Sequence, residues 1–207
     1  GLVTIEIEHV NVDALEKLES EGIPVFPQPK MLRMIQDKGL QKLFYQENNI
    51  PTADFFLVEN KAAIEQYAAH FPFMQKLRKG GYDGRGVTPL RDADQLENAF
   101  DAPSVLEKFV DFEKEISVIV SRNTKGETKS FPVVELEFNP EANLVEFLFS
   151  PADISAAAEA EAQRIACAVA EKLGMVGLLA VEMFLTRDGK VLVNEIAPRP
   201  HNSGHQS

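Results

Sequence analysis

The sequence predicts an α+β fold, and three observations carry that expectation. Strand-length runs alternate apolar and polar residues and are joined by short turn signals, the pattern of antiparallel pairing. Helical stretches come in groups instead of one between every two strands, which argues against βαβ winding. The loop Gly80-Gly81-Tyr82-Asp83-Gly84-Arg85-Gly86 lies between short strand patterns at 73–77 and 87–90. Four glycines in seven residues cannot pack a core, but they tolerate positive φ and let a backbone approach another molecule closely. The result is a strand–loop–strand flap whose N–H groups can form an anion-binding nest.

In chain order, Val3, Ile5 and Ile7 alternate with Thr4, Glu6 and Glu8, the strand period. Asn11 or Asp13 caps a helix carrying Leu15 and Leu18, stopped at Gly22. A short edge strand at 23–27 leads to a helical pair, 30–36 and 38–48, with Leu40, Leu43 and Phe44 expected inward. From 51 a new unit reads strand (53–58), helix from the Asn60 cap to His70, the flap, helix from an Asp92 or Asp94 cap to Phe100, and strand (104–110). After an acidic connector at 111–114, a third unit opens on the strand 115–120. Its turn at 123–126, strands at 131–138 and 144–149, and long Ala-rich helix from Ser155 to Gly174 follow. It closes on strands 178–185 and 190–196, joined by Arg187-Asp188-Gly189. Three segments are therefore expected: 1–50, a junction strand and helical linker; 51–112; and 113–207. The strand-like start at Gly1 and the loop end at Ser207 lead us to expect a piece of a longer protein.

Composition narrows the function classes. The 207 residues are 44% hydrophobic with a net charge of −11 and no basic run, which argues against a nucleic-acid or anionic-membrane surface. No apolar run approaches a membrane span. Cys167 is the one cysteine, so there is no disulfide framework or multi-cysteine zinc site, and a reducing, cytoplasmic compartment fits.

Glu182 and Glu195 lie in otherwise apolar strands on either side of a tight turn. Facing the same way, and joined by Asn194, they make a hard-oxygen site suited to Mg²⁺ with nucleotide phosphates. The tail Ala197-Pro198-Arg199-Pro200-His201-Asn202-Ser203-Gly204-His205 adds a guanidinium and two imidazoles suited to carboxylate or phosphate. Lys76 precedes the flap and can act as a point charge for phosphates. Glu107-Lys108-Phe109-Val110 reads either as a plain strand end or as backbone offered to a flat base.

Together, residues 80–86, 107–110, 194–195 and 197–205 resemble the 5-(carboxyamino)imidazole ribonucleotide synthases, ligases of purine biosynthesis with the ATP-grasp fold. Residues 3–9 resemble that family's junction strand. The resemblance covers nearly the whole chain and implies two α+β subdomains, a lid (51–112) and a central subdomain (113–207), with a nucleotide cleft between them. It implies that Lys38, Lys76 and the loop Gly81, Tyr82, Asp83, Gly84, Arg85, Gly86 and Val87 hold ATP phosphates. Glu107, Lys108, Phe109 and Val110 would meet adenine, Glu115 the ribose, and Asn194 and Glu195 the nucleotide, with Glu182 and Glu195 on Mg²⁺. Tyr82, Asp83, Arg85, Arg199, His201 and Asn202 would face aminoimidazole ribonucleotide and bicarbonate, with Arg199, Arg85 and Asp83 catalytic. Members are commonly homodimers. Two departures stand out: Lys38 where the family commonly has Arg, and Phe138 where many members have His. Two other readings share the flap and the Glu pair: a different ATP-grasp carboxylate–amine or –thiol ligase, and a nucleotide-binding fragment without turnover.

Overall fold

The computed structural model describes residues 1–81, 85–139 and 144–205, and they pack around three main hydrophobic cores. The first unit holds β1 (Val3–Thr4), α1 (Val12–Ser20) and β2 (Val25–Phe26), with β1 and β2 paired in parallel over Val12, Leu15 and Leu32. The alternation through Ile7 predicts a longer strand. Only two residues pair, because β2 is itself two residues long and Pro27 offers no N–H. Asn11 caps α1 through Ala14 N–H at 3.1 Å.

Next come α2 (Pro29–Ile35) and α3 (Lys38–Glu47). Here the structure corrects the sequence. Leu40 is 38% exposed, and the buried face of α3 is Gly39, Gln41, Lys42 and Tyr45. Tyr45 is fully enclosed in the central core, and this turns Gln41 and Lys42 inward with it. Both are satisfied: Gln41 Nε2 donates to Ile35 O at 2.6 Å and Lys42 Nζ to Thr52 Oγ1 at 2.6 Å.

The lid sheet contains β3 (Phe55–Val58), β4 (Phe73–Leu77), β5 (Val87–Leu90) and β6 (Ser104–Lys108), in the order β3-β6-β4-β5, all antiparallel. Its two connecting helices, Lys61–His70 and Ala93–Asn98, are 3₁₀ instead of α. Only Ile64 is buried between them, so no long apolar stripe demands a 3.6-residue repeat.

The central sheet contains β7 (Phe112–Arg122), β8 (Thr128–Ser130), β9 (Val134–Asn139), β10 (Leu144–Phe149), β11 (Gly177–Thr186) and β12 (Val191–Ala197). Its order is β10-β9-β7-β11-β12, with β8 also on β7. β7 begins inside the expected connector because Phe112 stacks on Phe184, ring centroids 4.7 Å apart. The expected strand 131–138 begins only at Val134, after Pro132, as β9, and the short β8 ahead of it was not expected. The following turn, 140–143, lies outside the described residues. α4 (Ala156–Leu173) runs from the Ser155 cap to Gly174 at φ +63° and covers one face of the sheet with Ala162, Ile165, Ala166 and Val169. Its other face looks toward the lid. Among the described residues, no helix is long and apolar enough to cross a membrane.

Candidate active site between lid and central sheet

The hairpin β11–β12 sets the floor of the cleft. Glu182 and Glu195 are direct cross-strand partners, which puts both on one face. Immediately beyond them the register slips: Glu182 pairs Glu195 but Met183 pairs Val193, leaving Asn194 as the extra residue of a bulge. In a regular strand Asn194 and Glu195 would point to opposite faces, whereas a bulge re-aims one of them. Both are half-buried here, between buried Val193 and Ile196. Asn194 accepts from Lys76 Nζ across the cleft at 2.8 Å, and Glu195 is ion-paired with Lys38. On β7, Ser117 lies opposite Glu182 and Glu115 opposite Phe184, so Glu115 lies on the same face as the Glu pair.

Of these carboxylates, Glu115 and Glu182 repel. The Glu115 carboxyl is pushed up to about 7 by burial and by the charge of Glu182. Glu195 is held below the ordinary range: burial opposes this, and the charge and hydrogen bond of Lys38 prevail. Glu182 Oε1 is 3.2 Å from His201 Nε2. The Ser203 N–H donates to His201 Nδ1 at 3.3 Å, and Ser117 Oγ donates to Ser203 Oγ at 2.9 Å. An N–H aimed at Nδ1 gives that nitrogen the acceptor role and leaves Nε2 to carry the proton toward Glu182.

This donor set fits Mg²⁺. Among the described residues, no group of three or more His, Cys, Asp or Glu is spaced to hold a metal unaided. Mg²⁺ commonly uses one or two carboxylates and completes its shell with phosphate oxygens and water, and Glu182 with Glu195 supplies that share. The repulsion between Glu115 and Glu182 is the imbalance a divalent cation relieves.

The Glu115 shift predicts a pH dependence for the metal-free chain. The folded state holds this proton more tightly than the unfolded chain, whose Glu value is 4.5. Stability contributed by Glu115 is therefore complete at low pH and falls as pH rises from about 4.5 through about 7, by roughly 2–3 kcal/mol after allowance for partial exposure. Urea titrations at about pH 5 and about pH 8 should record that loss, and Glu115→Gln should flatten it.

Facing the floor is the lid. Glu107, on β6, is 5% exposed at its side chain and is shared between Lys42 and Lys76. Burial pushes its pKa upward, but the charges of Lys76 and Lys42 overcome this and hold it at about 2. Lys76 is raised: burial opposes, while Glu107, Glu195 and Glu115 attract. Lys42 is lowered by burial, which its pairing with Glu107 only partly offsets. The Glu107 side chain is thus taken up by lysines. Beyond it, Lys108 reaches His70 O, Phe109 is 41% exposed beneath Arg91, and Val110 is half-buried.

The base of the flap lines a neighbouring cleft. Gly80 and Gly86 adopt φ of +78° and +73°, and Leu77 N–H donates to Gly86 O at 2.8 Å. Gly80 and Gly81 line a cleft of about 310 Å³ together with Lys38, Arg78, Glu195 and Pro198. Flap base and Glu195 therefore share one space, whose opposite wall is the first unit and α2, from Glu8, Val10, Leu32 and Gln36. Val87 pairs Lys76 and Arg85 is exposed, while Tyr82, Asp83 and Gly84 lie outside the described residues. A Cβ on Gly81 would stand 2.9 Å from the Arg85 carbonyl oxygen, which is backbone and cannot swing away. Gly81→Ala should therefore deform the flap, lowering kcat/KM for ATP in the full-length protein roughly tenfold, with unfolding midpoints little changed. Wild-type kinetics would mean the flap tolerates the methyl.

Arg199 turns back to the first unit, its Nε 3.4 Å from Glu8 Oε2, and Asn202 is exposed. Phe138 is half-buried on β9 opposite Val145. Several side chains at the cleft were not anticipated. Lys42 was hidden by the apolar pattern of α3, although its i, i+4 spacing from Lys38 was a signal. Asp37 caps α3 at Gly39 and Leu40 N–H and takes both Arg78 Nε and Nη2 at 2.9 Å, tying the flap base to the helix. Gly39 leaves room for that guanidinium, since a Cβ there would meet Arg78 Nε at 2.6 Å.

Residues 43–207 match the ATP-grasp domain family, and residues 1–36 match the ribonucleotide synthetase preATP-grasp domain. The chain belongs to the ATP-grasp family. The resemblance carried by 80–86, 107–110 and 197–205 holds over the full sequence. The phosphoribosylaminoimidazole carboxylase of Ogataea methanolica is 40% identical over 99% of this chain and 39% of that protein. The N5-carboxyaminoimidazole ribonucleotide synthase of Synechocystis is 37% identical over 100% of this chain and 55% of that protein. Among solved structures, the N5-carboxyaminoimidazole ribonucleotide synthetase of Thermotoga maritima superposes with a TM-score of 0.86 at 42% identity, covering 99% of this chain and 53% of that one. The N5-carboxyaminoimidazole synthase of Aspergillus clavatus, in complex with ADP and 5-aminoimidazole ribonucleotide, gives 0.88 at 32%, covering 99% and 54%. This ATP-grasp chain thus spans between two fifths and somewhat over half the length of these relatives.

Proposed function

We propose that this protein carries out ATP-dependent carboxylation of 5-aminoimidazole ribonucleotide with bicarbonate, giving the 5-(carboxyamino) product, ADP and phosphate, in a cytoplasmic purine pathway. The observation that carries the reading is the junction of lid and floor: Lys76 meets Asn194 in a small pocket walled by Lys38 and Glu195, and the same Lys38 and Glu195 line the adjoining cleft that the flap-base residues Gly80 and Gly81 enter. It is supported by the synthases from Synechocystis and Aspergillus clavatus, whose similarity runs over 99–100% of this chain and over 54–55% of their own.

In this reading Lys76, Lys38 and the flap N–H groups bind the phosphates. The backbone of 107–110 holds the base, and Glu115 the ribose. Glu182 and Glu195 would hold Mg²⁺, which supplies charge neutralisation on the phosphates. A bicarbonate oxygen attacks the γ-phosphorus to give carboxyphosphate and ADP. The exocyclic amine then takes the carboxyl group, directly or through released CO₂, and phosphate leaves. Arg199, His201 and Asn202, with Tyr82, Asp83 and Arg85 of the flap, orient the two acceptors. Flap closure excludes water from the carboxyphosphate. A homodimer is the proposed state of the full protein.

The test is ATPase activity of the full-length protein. Stimulation by aminoimidazole ribonucleotide, and none by amino acids or glycinamide ribonucleotide, is expected; the reverse preference would assign a different ATP-grasp ligase. A second reading applies to this chain alone. Since it covers little more than half of its solved relatives, we propose that it binds Mg·ATP but carboxylates weakly or not at all. Full-rate turnover by these 207 residues would refute that.

A further inference from the structure

We propose that Lys42 is a positioning residue for nucleotide phosphates, acting through Glu107 on Lys76; this rests on the nucleotide-binding reading above. The geometry is a buried alternating chain. Lys42 and Glu107 are 4% and 5% exposed at their side chains and Lys76 14%, so three charges are withdrawn from water together. Glu107 gives one carboxylate oxygen to each lysine, Oε1 to Lys42 and Oε2 to Lys76. Buried charges persist only when paired.

The two lysines have different surroundings. Lys42 is fixed on the far side of Glu107. Its Nζ donates to Thr52 Oγ1 at 2.6 Å, Thr52 Oγ1 donates to Val193 O at 2.7 Å, and the ammonium lies 5.7 Å from the Tyr45 ring centroid. It is anchored on α3 and, through Thr52, to β12 of the central sheet. Lys76 is the lysine next to the flap strand, and its Nζ reaches Asn194 at 2.8 Å.

With Lys38 and Glu195 paired to each other, the one carboxylate between Lys42 and Lys76 leaves these three side chains with a net positive charge. That surplus is what a phosphate group meets at Lys76. Without Lys42, the whole charge of Glu107 bears on Lys76, cancels it and draws its Nζ away from Asn194. Lys42 therefore acts on the phosphates without touching them, and its loss should be felt by a nucleotide in proportion to its phosphates. A lysine that merely stabilises the fold would not make that distinction.

The experiment is calorimetric titration of this chain with ADP and, separately, adenosine, both with Mg²⁺. Lys42→Met is expected to raise the Kd for ADP roughly tenfold and leave that for adenosine unchanged. Adding Glu107→Gln to Lys42→Met removes the counter-charge as well and should bring ADP affinity back to within about threefold of wild type. If Lys42→Met does not fold, Lys42→Gln, which keeps a donor for Thr52 but loses the charge, is read with the same two ligands. Equal losses for ADP and adenosine, or no loss for either, overturn the proposal while leaving nucleotide binding intact. A wild-type chain that binds neither ligand overturns the nucleotide-binding reading and this proposal with it.

Discussion

In the full-length protein, Glu195→Gln is expected to lower ATP cleavage on the order of a thousandfold while leaving the fold intact. Glu195 faces Glu182 across the hairpin, is paired with Lys38 and lies beside the bulge that presents Asn194. The amide preserves the shape and removes the charge that would hold Mg²⁺. It also strips Lys38 of its counter-ion, so nucleotide affinity alone can change in either direction; turnover is the decisive quantity. Single-turnover ATP hydrolysis with aminoimidazole ribonucleotide present measures it. Because the Glu195 side chain is 38% exposed at the cleft edge, the unfolding midpoint should move little. Near-normal ATP cleavage would remove Glu195 from the metal site.

The largest stability effect is expected at Glu107. Glu107→Ala leaves Lys42 and Lys76 facing each other with their shared counter-charge gone, and a broken buried ion pair of this kind costs about 3–5 kcal/mol. Urea unfolding reads it directly, and a loss under about 1 kcal/mol would show that water reaches the lysines. The same carboxylate sets an acid limit. Its folded value of about 2 lies below the unfolded 4.5, so its contribution is fully present above about pH 4.5 and is lost as pH falls toward about 2. In Glu107→Gln this part of the acid transition should vanish. Glu115 has the opposite sign, favouring the fold at low pH, so the two variants should change the pH–stability curve in opposite directions.

The strands that carry the site were legible because their apolar and polar residues alternate and their turns are marked by Gly189 and Gly126, both at positive φ. Less legible was the rotation of α3. Of Leu40, Leu43 and Phe44, the expected inward stripe, Phe44 does pack against the core, but Tyr45 is the residue enclosed in it and sets the helix angle, leaving Leu40 exposed. The 3₁₀ form of Lys61–His70 and Ala93–Asn98 was equally hidden, since caps such as Asn60 and Asp92 serve both helix types. In the site, the hairpin turn by itself would set Glu182 opposite Asn194 and leave Glu195 on the other face. The bulge shifts the register by one residue and brings Glu195 opposite Glu182, and a one-residue slip has no signature in the residues themselves.

The sequence by itself determined the α+β class, the glycine flap, the two hairpin carboxylates and the family resemblance, all of which are encoded in residues close together along the chain. Only the tertiary structure decided that Lys42, Lys76 and Glu107 share one buried charge cluster, and that Lys38 pairs with Glu195. Those contacts join residues from tens to more than a hundred positions apart. They form because a charge withdrawn from water must find its opposite wherever packing brings the two together, and no local pattern records that meeting.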